Sequence, residues 1–127
     1  MKKTMLALAG ALSLIAVQAH ADSKSEIVNA ETHAGLAAQA TAIDGVHMHL
    51  HHALNCLVGP NGTGFDAKQM NPCAHSGNGA IPDTADAAKK AKLQAAADKA
   101  SSGIAATDLA TAQKTASETA ALLKAQE

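Results

Sequence analysis

The sequence predicts an all-α chain: an antiparallel helical bundle of three or four helices, arranged as two helical hairpins with a long disulfide-pinned loop. Three observations predict it. Apolar residues recur at helical spacing on both sides of a central stretch dense in Gly, Pro and Asn. The composition is dominated by helix formers, with Phe65 as the only aromatic residue. One of the two cysteines, Cys56, precedes that stretch and the other, Cys73, lies inside it.

The N-terminus comes first. Lys2 and Lys3, an apolar run over 5–17 and the small-residue site Ala19-His20-Ala21 read as a secretory signal peptide, 1–21, cleaved after Ala21. Cleavage after Ala19 is the alternative. It leaves His20 as a terminal histidine whose amine and ring chelate copper, which a catalytic mononuclear copper site would require. The remaining chain, 22–127, fits a single helical domain and is expected in the periplasm. It contains no further apolar run long enough to span a bilayer, so no membrane insertion is expected after cleavage. It carries eight lysines against eleven acidic residues and has no Arg, Tyr or Trp. That balance lacks both the basic footprint and the stacking surfaces of a nucleic-acid binder.

The domain reads in three parts. Residues 22–58 form a histidine-bearing helical half. Ser23 and Glu26 have the spacing of a capping box. Leu36, Ile43, Leu50 and Leu57 recur every seven residues on one apolar stripe. Two arrangements fit: a single long helix, or a hairpin turning near Gly35. The second is suggested by a repeat in which Gly35-Leu36-Ala37-Ala38 matches Gly103-Ile104-Ala105-Ala106 and Ala53-Leu54 matches Ala121-Leu122. Gly59-Pro60 ends the helix. Residues 59–82 form a loop longer than most structureless connections. Residues 83–127 form the second helical half, opened by Asp83 or Thr84 as N-cap and turning between about Ser101 and Asp108.

An Ala-dominated core buries little area, at ~25 cal/mol per Å². A small domain of this kind often needs a staple. A Cys56–Cys73 disulfide in an oxidising compartment would supply one.

The chemistry concentrates in Gly45-Val46-His47-Met48-His49-Leu50-His51-His52-Ala53-Leu54-Asn55-Cys56, which holds four of the seven histidines. His47 and His51 are an i, i+4 pair, the spacing at which two imidazoles can bind one metal ion, and Asp44 lies on the same side. They are the first-choice ligands. His49 and His52, an i, i+3 pair on another side of the helix, are the second, with Met48 one turn from His52. Imidazole suits copper, nickel and zinc, and Met48, Met70 or His75 as an added ligand favours copper. Asp44 is a ligand or an acceptor that orients an imidazole. His33 and His75, being isolated, read as bystanders. No general base is paired with a nucleophile, so binding rather than catalysis is expected. Gly62-Thr63-Gly64 and Gly77-Asn78-Gly79 read as turns, since no Gly-Lys-Ser/Thr follows them.

His33-Ala34, His47 and His49-Leu50-His51-His52-Ala53-Leu54, on an exported Ala-rich and nearly aromatic-free background, resemble the small periplasmic metal-binding four-helix-bundle proteins. The resemblance implies binding of copper, with nickel and zinc as competitors, for buffering or sequestration. The chain departs from that pattern in having no histidine from Ala85 to Glu127 and in carrying the paired cysteines. The Asn55-Cys56-Leu57-Val58-Gly59-Pro60 junction, Asn71-Pro72-Cys73 and Gly77-Asn78-Gly79-Ala80 are similar to small exported bacterial proteins that carry no assigned activity. The alternative function is a non-catalytic interaction or structural module whose histidines are surface or pH-sensing residues. The expected partners are a metal ion, a second copy of the chain, or a periplasmic protein.

Overall fold

A computed structural model describes residues 23–127. The expected signal peptide, both candidate cleavage sites and His20 lie outside the described residues. Among the described residues the regular structure is entirely helical: α1 (Ser23–Gln39), α2 (Ile43–Val58), α3 (Ala80–Asp83), α4 (Ala87–Ala105) and α5 (Leu109–Lys124). None of these helices is long and apolar enough to cross a membrane.

The first half is a hairpin, and its turn falls at 40–42 rather than near Gly35. Ala40 N–H donates to Ala37 O, and Ala42 is extended (φ −130°, ψ 145°) before α2 begins. The break resets the helical phase. α1 therefore buries Ile27, Ala30, Ala34 and Ala37, spaced three, four and three apart, while Leu36 is 43% exposed. The seven-residue series holds only within α2, where Leu50 and Leu57 are fully buried.

The stretch 59–79 is held at three places. Asn55, itself fully buried, donates from Nδ2 to Asp66 O (3.0 Å) and Met70 O (3.1 Å), and its Oδ1 accepts from Asp66 N–H (2.9 Å). Cys56 and Cys73 form the expected disulfide. Glu26, the expected capping-box acid, is fully buried, and its Oε1 accepts from Gly79 N–H at 2.9 Å. The loop ends sooner than the sequence suggests, because Ala80–Asp83 forms a single helical turn. Asp83 accepts from Asn78 N–H and Nδ2, and the Thr84 hydroxyl donates to Ala80 O. Both expected N-caps are thereby engaged in closing that turn. Asp86 caps α4 instead, through Lys89 N–H, and Asp108 caps α5 through Thr111 N–H.

The four long helices touch in a cycle, α1 with α2, α2 with α4, α4 with α5 and α5 with α1, with α2 and α5 also meeting across the diagonal. Two long-range hydrogen bonds explain the order. His47 Nε2–H donates to Ala106 O in the α4–α5 turn (3.0 Å), and Gln113 Nε2 donates to Ala40 O in the α1–α2 turn (2.8 Å). Moving 66 positions along the chain converts one bond into the other: His47 becomes Gln113 and Ala106 replaces Ala40. The same shift carries Ile27 to Leu93, Ala30 to Ala96, Ala34 to Ala100, Val46 to Ala112, Leu50 to Ala116 and Leu57 to Leu123, and every one of these residues is buried. The structural correspondence of the halves therefore runs at a shift of 66, two residues away from the sequence matches of Gly35 with Gly103 and of Ala53 with Ala121. The halves pack reciprocally, as two copies do about a two-fold axis.

Candidate metal centre

An antiparallel hairpin brings together residues equidistant from its turn. His33 on α1 and His49 on α2 each lie eight residues from Thr41, so about 12 Å along each helix at 1.5 Å per residue. They face one another, with their Nδ1 atoms 3.4 Å apart, one donating and the other accepting. His52, one turn further along α2, closes the group. Its ring meets those of His33 and His49 edge to face, with centroids 5.2 and 5.7 Å away. One ring nitrogen from each of His33, His49 and His52 lies within 4.8 Å of the others.

These dimensions suit a metal. Two imidazole nitrogens on one tetrahedral zinc, with bonds of about 2.0–2.1 Å, lie about 3.3 Å apart. The His33–His49 separation is close to that value, and a ring nitrogen of His52 lies within 4.8 Å of both. His52 is buried, and its Nδ1 has no hydrogen-bond partner. Burial, then the neighbouring His52 and His49 rings, hold the His33 pKa below the usual histidine value. Burial, then His49 and His51, do the same at His52. Both effects favour neutral imidazole, the form that ligates. Such a set can hold a late transition ion on three nitrogens and leave a further coordination position open.

His47, His51 and Asp44 lie outside this group, whereas Met48 precedes His52 by one turn of α2. His47 and His51 look away from α1. His47 clasps the α4–α5 turn, and His51 Nδ1 faces the Asp66 carboxylate at 3.8 Å. Neither belongs to the three-ligand group found among the described residues. Asp44 is exposed in the first turn of α2, and Met48 is 41% exposed one turn before His52. His75 and Met70 are exposed on the loop, and His75 does not join the group. His33, which reads as an isolated bystander in the sequence, belongs to the group. Its signal was the turn: with 40–42 as the centre, His33 and His49 become partners by counting.

The second hairpin contains the counterpart of this site. Shifting His33, His49 and His52 by 66 gives Lys99, Thr115 and Glu118, and Lys99 Nζ contacts Glu118 Oε2 at 3.0 Å. One hairpin carries three imidazoles where the other carries an ion pair. Comparison with protein-family models, with curated proteins and with solved structures finds no match to the chain.

Proposed function

We propose that the chain is an exported four-helix bundle that reversibly binds a late transition metal ion through His33, His49 and His52, copper first and nickel or zinc next. The observation that carries the reading is the convergence of three ring nitrogens from two helices within 4.8 Å, around a buried imidazole whose Nδ1 has no partner. The disulfide is compatible with an oxidising compartment, where such a protein would buffer or sequester metal. The role is binding rather than catalysis, and the partner is the ion itself. A second copy of the chain is a further candidate for completing the coordination.

The test is metal titration of the oxidised protein with copper, nickel and zinc. His33→Ala, His49→Ala and His52→Ala should each lower affinity at least tenfold, whereas His51→Ala should leave it within about twofold. Affinity that follows His51 and ignores His33 sinks this assignment.

One observation favours a second reading. At the equivalent place in the second hairpin, Lys99 and Glu118 simply tie two helices together. The three histidines would then be a structural tie of the same kind. Under that reading the alanine variants lose stability in metal-free buffer and the native protein gains none when metal is added.

A further inference from the structure

We propose that Met48 is the fourth ligand of the histidine site and makes it selective for cuprous ion over zinc. The inference rests on the metal-binding reading of His33, His49 and His52. It adds the ion's oxidation state and the group that chooses it.

The geometry of α2 provides the first argument. At 100° per residue, Met48, His49 and His52 fall within an arc of about 100° on one side of the helix. Helical side chains tilt toward the N-terminus, so the His52 imidazole leans over the turn that bears Met48. Met48 is 41% exposed, a large apolar side chain left partly in water beside a cluster of imidazoles. Nothing in the core requires it there.

The second hairpin provides the second argument. The counterpart of Met48 is Lys114, which sits beside Lys99, Thr115 and Glu118 in the same way. Lys114 Nζ lies 4.0 Å from Glu118 Oε1 while Lys99 Nζ holds the other carboxylate oxygen. A long side chain at this position therefore reaches the group one turn ahead, together with the residue from the facing helix. Met48 takes the same position in the first hairpin, one turn before His52, whose ring meets that of His33. Its sulfur, two bonds closer to the backbone than a lysine ammonium, is placed to reach an ion held in front of the rings rather than the rings themselves. Methionine has three rotatable bonds, so a swing of the thioether costs little.

The chemistry selects the ion. Three imidazoles accept Cu(II), nickel or zinc, with Cu(II) the tightest of the divalent ions, whereas a thioether is a soft ligand that favours Cu(I). Zinc would take a water in the fourth position at least as readily as the sulfur.

The experiment measures Cu(I) affinity anaerobically by competition with a colorimetric Cu(I) chelator, and Zn(II) affinity by competition with a zinc dye. Both use the native protein and Met48→Leu, with the disulfide intact. Met48→Leu keeps size and apolarity at an exposed site, so the fold is retained; circular dichroism checks this. The expected result is a loss of Cu(I) affinity of at least tenfold with zinc affinity changed less than twofold. X-ray absorption should show copper–sulfur scattering in the native protein and none in the variant. Unchanged Cu(I) affinity, or equal losses for both ions, overturns the role of Met48 while leaving the three-histidine site standing. Failure of the native protein to bind either ion in a His33-dependent way overturns the site itself.

Discussion

His33 and His52 set the pH behaviour of the metal-free protein. Both have pKa values below their ordinary value of 6.5, chiefly because burial disfavours the charged ring. The unfolded chain therefore takes up these protons before the folded chain does. Stability is fully present above the unfolded value near 6.5 and declines as pH falls through it toward the depressed folded values. A melting series from pH 7.5 to 5 should show that decline, and His52→Gln should flatten it. A slope unaffected by His52→Gln would assign the acid sensitivity to another group. Asn55 is the opposite case, a buried polar residue whose work is structural. Its amide serves four backbone groups of the loop, the carbonyls of Asp66, Gln69 and Met70 and the N–H of Asp66. Asn55→Ala strands several of these at about 1–3 kcal/mol per buried group. Chemical denaturation should report a loss of at least ~2 kcal/mol, and a near-neutral result would show that water replaces the amide.

At the scale of elements, two glycines have opposite duties. Gly35 lies inside α1 with nothing near the position a Cβ would take. Gly35→Ala should raise stability by about 0.5–1 kcal/mol through helix propensity alone. Gly59 ends α2 at φ +70°, and a Cβ there would sit 1.7 Å from Asn78 O, a backbone atom at the far end of the loop. Gly59→Ala should be destabilising and should loosen the loop despite the disulfide; matched melting curves of the two variants provide the check. This pair also shows what could be read in advance. Gly59-Pro60 announces the end of α2, and the cysteines announce the staple, because each acts through its own chemistry. The turn at 40–42 contains only Ala, Thr and Ala, residues that continue a helix as readily as they end one. Tertiary contact specifies it: Gln113 holds Ala40 O from the other hairpin. With the turn invisible, Leu36 falls on the apolar stripe of Leu50 and Leu57, and His33 stands apart from the two histidines it meets. The His47/His51 spacing was legible, but spacing on one helix does not reveal the neighbour. That side of α2 meets α4 and the loop, which supply Ala106 O and Asp66.

For the whole molecule, the reciprocal packing of the two hairpins turns the second into an internal control for the first. Six buried positions of the first hairpin correspond to buried positions of the second at a shift of 66, from Ile27 and Leu93 at one end to Leu57 and Leu123 at the other, while buried Cys56 and Val58 correspond to exposed Leu122 and Lys124. The backbone frame around 99, 115 and 118 should therefore match that around 33, 49 and 52. What differs is the side chains. Lys99 and Glu118 form an exposed ion pair, and such pairs contribute little to stability, so both can be replaced without endangering the fold. Lys114 must be replaced as well, because its ammonium would repel a cation bound at 118. On the metal-binding proposal, which gives the native protein one ion per chain, the combined variant Lys99→His, Lys114→Met, Thr115→His and Glu118→His should bind two. Native mass spectrometry reads the stoichiometry directly. The same variant with His33→Ala should return to one, now held by the second hairpin. If the four substitutions leave one ion per chain while the fold is intact, the hairpin frame alone does not make the site. Features unique to the first half would then be required, foremost the burial of His52 and the loop that Cys56 pins beside it.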